Sequence, residues 1–452
     1  MKRYKRHSII AAAMLTAVVG SAQAKESYTT LSNPTITEIP KGALANKSME
    51  EVKEIQEFFG VLENRIKYQF PLPQTRYMWQ NMNRMYITAD VLRGGQISDL
   101  ALEYNPSIGA IGFEKDGKTE TVNSHLDNYP VDAFLVAHKG KIVFERYNTM
   151  RPQDKHIWMS SAKVIGSTVM ALLEQQGKVD IKKTVPHYLP ELKGTPWDKV
   201  TVEHALDMAN GLDSTEHDEP VHDTRTNPKQ PYYQWGVTLG IFTNPDQKET
   251  DPYGVLRNMK YKYPGHTSFE YNSINPFVIN RINERVTGKP MNELLSEMIW
   301  SKIGAEHDMS VAVSPQGYPM FFGMVSSTLR DMARFGMIFT PSWNKVSQER
   351  IVPESVVKMI QSTGKPEMFG KGYVGKTMLN SFAGQGEEGL TNRYQWDAIF
   401  KDGDMYKGGV GGQGLYVSPS RDLVITWFST GDGKNKEERM ARAIAMNFDI
   451  AK

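Results

Sequence analysis

The stretch Met159-Ser160-Ser161-Ala162-Lys163 runs directly into Ile165, Val169, Leu172 and Leu173, apolar residues at helical spacing, with Gly177 as a stop signal. The spacing predicts a helix that Ser160 caps or opens. Lys163, three residues on, then shares a helical face with Ser160 and lies within reach of its hydroxyl. The helix N-terminus adds partial positive charge beside Ser160. One turn of helix therefore offers a serine nucleophile, a base and part of an oxyanion site. Alone the motif decides little, because Ser is a favoured N-cap and Ser-x-x-Lys arises often by chance.

Partners for the serine proton come from two residue types. The ten His are scattered, none stands in an H-E-x-x-H, and no G-x-S-x-G elbow is present. Glu216-His217-Asp218-Glu219 with His222-Asp223 has metal-ligand chemistry, but its polar, Pro-containing setting reads as a solvated loop. Tyrosine is the better candidate. After Pro264-Gly265 comes Phe269-Glu270-Tyr271-Asn272-Ser273-Ile274-Asn275, where a phenol beside a lysine ammonium serves as a phenolate or a proton relay. A third element is Lys407-Gly408-Gly409-Val410-Gly411-Gly412-Gln413-Gly414, followed by strand-like residues on both sides of Ser418-Pro419-Ser420. A strand follows these glycines, whereas a dinucleotide site needs a helix there. Glycines in a strand permit close approach of a backbone or ligand, so we read Lys-Gly-Gly as an edge strand beside the nucleophile.

Outside these motifs, Ala133-Phe134-Leu135-Val136-Ala137-His138, the turn Lys139-Gly140-Lys141 and Ile142-Val143-Phe144-Glu145-Arg146-Tyr147 read as a β-hairpin, so a sheet starts near residue 131. Residues 25–120 read as an N-terminal extension with a helical stretch at 49–68, and residues 121–452 as the main domain. Residues 1–24 carry a basic run (2–7), an apolar run (9–19) and Ala22-Gln23-Ala24, the parts of a cleavable signal peptide. The apolar run is shorter than the ~20 residues a membrane span needs. The expectation is a periplasmic or secreted protein without a stable membrane anchor after cleavage. No Cys occurs, which excludes disulfides, thiolate ligands, thiol nucleophiles and lipid attachment at a Cys.

The 452 residues are 40% hydrophobic and 23% charged, a globular composition. The net charge is +2, and setting aside the four bases of the first 24 residues (Lys2, Arg3, Lys5, Arg6) makes it −2. Neither value gives the basic footprint of a nucleic-acid binder. A small-molecule substrate fits better.

The order Ser-x-x-Lys, then Tyr-x-Ser, then Lys-Gly-Gly on a late strand resembles the serine β-lactamase and penicillin-binding-protein superfamily. Within it the chain is most similar to the 6-aminohexanoate-dimer hydrolase and esterase branch, near the class C β-lactamases. The resemblance runs over residues 131–430 and includes His204-Ala205-Leu206-Asp207-Met208-Ala209-Asn210-Gly211-Leu212 and Thr328-Leu329-Arg330-Asp331-Met332-Ala333-Arg334-Phe335-Gly336.

The resemblance implies a mixed α/β (α+β) fold, an antiparallel sheet flanked by helices with an inserted, mainly helical region. It implies Ser160 as nucleophile, Lys163 and Tyr271 as the proton-handling pair, and the N–H groups of Ser160 and Val410 as oxyanion hole. Ser273, Lys407, Gly408 and Gly409 fall at its substrate-facing positions. No cofactor or metal is implied. Two departures weaken an antibiotic substrate: Ser273 stands where class C enzymes keep an Asn, and Gly408 where Lys-Thr-Gly has its Thr. Lys407 still leaves a carboxylate-binding option. The expected activity is hydrolysis of an amide or ester through an acyl-enzyme. A β-lactamase, a D-amino-acid peptidase and a non-catalytic ligand-binding protein on the same scaffold are the alternatives. Pro231-Tyr232-Tyr233-Gln234-Trp235 and residues 364–389 read as walls or lids of the pocket, and the oligomeric state is left open.

Overall fold

Lys139 and Gly140 both take positive φ (49° and 76°), as a two-residue hairpin turn requires. They join β1 (Val131–His138) to β2 (Lys141–Tyr147), the hairpin expected from the sequence. In this computed structural model, which describes residues 43, 47–219, 222, 223, 225–362 and 364–450, the hairpin forms one edge of a seven-stranded sheet. The other strands come from the C-terminal part: β3 (Thr391–Arg393), β4 (Trp396–Ile399), β5 (Met405–Gly409), β6 (Gln413–Ser418) and β7 (Leu423–Ser429). Their order is β3-β4-β5-β6-β7-β1-β2, with antiparallel neighbours throughout.

These strands are apolar on both faces because both faces are covered. Ala133, Leu135, Ala137, Leu415, Val417, Val424 and Phe428 join one core with Phe335 of α3 (Leu329–Met337). The alternating residues Phe134, Val136, Tyr416, Ile425 and Trp427 join a second core with Met440 and Ile444 of α4 (Glu437–Met446). Period-two alternation thus divides each strand between two layers of helix.

Residues 148–390, inserted between β2 and β3, are mainly helical, as the resemblance implied. Their centre is α1 (Lys163–Gln175) against α2 (Ile274–Thr287), where Asn283 Nδ2 donates to the Gly166 carbonyl at 2.9 Å. A small antiparallel sheet lies beside them, in the order Thr88–Val91, Met309–Ala312, Val325–Ser327, His156–Ile157. The stretch set apart as an extension carries Ile55, Phe59, Tyr68, Trp79 and Val91 into the same core as α1. Its Met49–Gly60 helix is closed by a Ser48–Glu51 capping box. Arg76 Nε sits 2.8 Å from the buried carboxylate of Asp132 on β1. Among the described residues no helix is long and apolar enough to cross a membrane. The signal at 1–24 lies outside the described residues.

Candidate active site

Ser160 lies in a turn of 3-10 helix, Met159–Ala162, that runs into α1. It opens the helix and does not cap it: α1 starts at Lys163 and its N-terminus has no side-chain cap. The residue before it, Met159, holds φ at +48°, a left-handed conformation costly for a side chain of this size and stored here at the entry to the Ser160 turn. Trp158 anchors that turn through its N–H to the Val325 carbonyl (2.8 Å) and its indole Nε1 to Ser327 Oγ (2.8 Å). Ser161 Oγ donates to the Lys407 carbonyl at 3.2 Å, tying the turn to β5.

β5 is an interior strand of the sheet, so the edge-strand expectation is corrected in part. Its ladder pairing with β4 covers only Met405 and Tyr406, and residues 407–409 leave that ladder to run past Ser160. Gly409 is what permits the approach. A Cβ there would sit 2.7 Å from the Trp158 carbonyl and 3.0 Å from the Ser160 nitrogen. Behind the turn at 410–412, Trp79 lies so close to Gly411 (φ +84°) that no side chain fits.

Lys163 is fully buried and its Nζ has three neighbours, each at 2.8 Å: Ser160 Oγ, Ser273 Oγ and the Phe322 carbonyl. Burial is the main cause that pulls its ammonium down to about 7. The nearby positive Lys407 adds to this, while the carboxylates of Glu216 and Asp397 oppose it. This brings the free amine within reach of neutral pH beside the serine hydroxyl.

Tyr271 is hydrogen-bonded to Ser160, and burial, with the neighbouring carboxylates Asp397 and Glu216, holds its hydroxyl well above the ordinary tyrosine range. Of the two forms left open by the sequence, the environment selects the neutral phenol, not the phenolate. Two cations face its ring, Lys163 Nζ at 5.2 Å and Lys407 Nζ at 4.5 Å from the centroid. The segment 364–389 reaches this tyrosine through Phe269, on which Phe369 stacks at 5.5 Å and which meets the Tyr271 ring edge-on at 6.4 Å.

Two positions have other partners than expected. Lys407 has no exposed surface; its Nζ is 2.5 Å from Asp397 Oδ1 and 3.2 Å from the Tyr271 hydroxyl. The carboxylate-binding option is thus taken up internally by Asp397, which also accepts from the Gly408 N–H at 3.0 Å. Ser273, expected to face substrate, is buried between Lys163 and Glu216.

Glu216 is the largest correction. The acidic and histidine cluster that contains it reads as a solvated loop, but Glu216 is only 3% exposed and accepts the Ser273 hydroxyl proton. Tyr232, from the stretch expected to line the pocket, reaches the same group and hydrogen-bonds to both Ser273 and Glu216. The side chains at 217–224 lie outside the described residues. Among the described residues no set of three or more His, Asp or Glu is arranged to hold a metal ion. Sequence reasoning missed Glu216 and Asp397. The signal for Asp397 was a lone carboxylate in the buried strand Trp396-Asp397-Ala398-Ile399.

This fold and this Ser–Lys–Tyr grouping define a serine hydrolase. The model of the Beta-lactamase family matches residues 120–447, and the chain belongs to that family. It is 30% identical to the 6-aminohexanoate-dimer hydrolase of Paenarthrobacter ureafaciens over 361 residues, which cover 79% of this chain and 86% of that protein. The structure of a candidate 6-aminohexanoate-dimer hydrolase from Bacillus anthracis matches with a TM-score of 0.68 and 25% identity, over 82% of this chain and 94% of that one. A class C β-lactamase shares the fold at a TM-score of 0.51 and 14% identity, over 72% of this chain and 93% of its own.

Proposed function

We propose that the chain is an exported amidase or carboxylesterase that cleaves small linear amides or esters through an acyl-enzyme on Ser160. The observation that carries this is the 2.8 Å contact from the Lys163 amine, lowered to about 7 by burial, to Ser160 Oγ. Neutral Lys163 takes the hydroxyl proton as Oγ attacks the substrate carbonyl. The N–H groups of Ser160 and Val410 receive the developing oxyanion. Tyr271, a phenol hydrogen-bonded to Ser160, relays the proton taken up by Lys163 to the leaving amine or alcohol, which returns Lys163 to its free form. Water then releases the acyl group, with Lys163 again as base.

The substrate class is drawn from what the site lacks and from its relatives. Asp397 occupies the Lys407 ammonium, so the cation that would anchor a lactam or peptide carboxylate is neutralised. Ser273 and Gly408 remove two further polar contacts of a lactam site. The similarity to a 6-aminohexanoate-dimer hydrolase supports a linear amide. The leader at 1–24 and the absence of Cys support an extracytoplasmic location. The test compares turnover of a p-nitrophenyl ester, a linear 6-aminohexanoate amide and a chromogenic cephalosporin. Ester and amide are expected to turn over and the cephalosporin to lag far behind; the reverse order would overturn the assignment.

A further inference from the structure

Lys163 can act as a base only if its lone pair points at Ser160, and the atoms around its Nζ do not all direct it there equally. The Phe322 carbonyl at 2.8 Å can only accept. The Ser160 hydroxyl can accept or donate, as any hydroxyl can. The deciding group is the Ser273 hydroxyl, which would point its own proton at a neutral Lys163 if it were free to do so. It is not free, because Ser273 Oγ donates that proton to Glu216 Oε1 and so presents only lone pairs to Lys163.

Glu216 is built for this task. Its carboxylate is buried beside Ser273 and accepts from the Tyr232 hydroxyl. A buried carboxylate depends on hydrogen bonds from neighbouring groups, and Ser273 and Tyr232 supply them here. The charged and titratable groups that face Lys163 are Glu216, Lys407 of β5, Asp397 of β4 and Tyr271, while Tyr232 faces Glu216 and Arg225 acts on Tyr232.

We propose that Glu216 is a positioning residue that, through the Ser273 hydroxyl, turns the Lys163 lone pair toward Ser160. This rests on the reading of Lys163 as the base. The neutral amine keeps two N–H groups, which go to Phe322 and Ser273, and its lone pair is left for the Ser160 proton. In the Michaelis complex the Ser160 hydroxyl then donates to Lys163 and accepts from Tyr271. In Glu216→Gln the amide can turn its N–H group toward Ser273, whose hydroxyl then accepts there and donates to Lys163, and the lone pair is turned away from Ser160.

The sign of the accompanying pH effect follows from charge. Glu216 favours the ammonium form, so its neutralisation releases the proton at lower pH. The experiment is an NMR titration of lysine-labelled full-length protein, with the Lys163 signal assigned by its loss in Lys163→Ala, run on wild type and Glu216→Gln. It is paired with pH profiles for hydrolysis of a p-nitrophenyl ester. In Glu216→Gln we expect the Lys163 transition and the acid limb of kcat/KM to move down by about one pH unit or more, while the plateau falls by about tenfold or more, within the span seen for impaired general bases. A titration at the wild-type position would overturn the inference whatever the rate, since a merely structural loss lowers the plateau and leaves the limb in place. The absence of any lysine titrating near neutral pH in wild type would instead overturn the reading of Lys163 as base. Glu216→Asp, which keeps the charge but withdraws it by one methylene, guards against misfolding of the Gln variant. It is expected to keep the limb and lose several-fold in the plateau, and a wild-type plateau would count against the proposal.

Discussion

Lys163 is the residue whose surroundings decide most of the chemistry, because a lysine is useful as a base near neutral pH only when something removes its proton. Full burial does that here and brings it to about 7. On the proposed mechanism the free amine is the active form, so kcat/KM for an ester is expected to rise with pH through about 7. Lys163→Ala is expected to lower acylation at neutral pH by on the order of 10²–10⁴. An unchanged rate would remove Lys163 from the site. At this scale the sequence was informative where chemistry is local. Ser160 and Lys163 share one helical turn, and Tyr271 and Ser273 share one loop, so spacing alone put each pair together. Glu216 was hidden because its partner Ser273 is distant in sequence, and Asp397 because its pairing with Lys407 depends on the register of the β4–β5 hairpin. A carboxylate in an acidic run looks like solvated surface until the fold buries it.

The element that joins the sheet to the nucleophile is β5, and Gly409 is its point of closest approach. A methyl group there would press on the Trp158 carbonyl and the Ser160 nitrogen, pushing strand and turn apart. Gly409→Ala is therefore expected to leave the fold intact, by circular dichroism, and to lower kcat by ~10²–10³, the cost of losing one oxyanion donor. A wild-type kcat would show that β5 does not form the second wall of the site. The β1–β2 hairpin was legible because the Lys-Gly turn and its flanking apolar residues are contiguous. The interior position of β5 was not legible, since strand order depends on how β3 and β4 fold back after the long insertion.

Across the whole molecule, the N-terminal segment acts as a brace. Arg76 engages Asp132 on β1, and Trp79 fills the space behind Gly411 while His156 lies between Trp79 and Phe428, at 6.2 and 4.7 Å. Composition gave no hint of this, because the contacts join segments far apart in the chain. On the opposite side of the same turn, Glu437 at the start of α4 is fully buried, and burial, reinforced by Glu438, pushes its carboxyl up to about 8. The folded state then holds a proton that the unfolded chain releases near 4.3. Stability is lost as pH rises through that window. Glu437→Gln removes the cost, so its melting temperature is expected to gain on wild type progressively between about pH 5 and pH 8, measured by calorimetry. A constant difference would place the wild-type carboxylate in a solvated setting.

The central claim is that Ser160 forms the covalent intermediate, and intact-mass spectrometry after brief incubation with an activated acyl ester tests it most directly. The account predicts a single acyl adduct that peptide mapping places on Ser160 and that is absent from Ser160→Ala. Mapping to another residue, or an adduct that persists in Ser160→Ala, would contradict it.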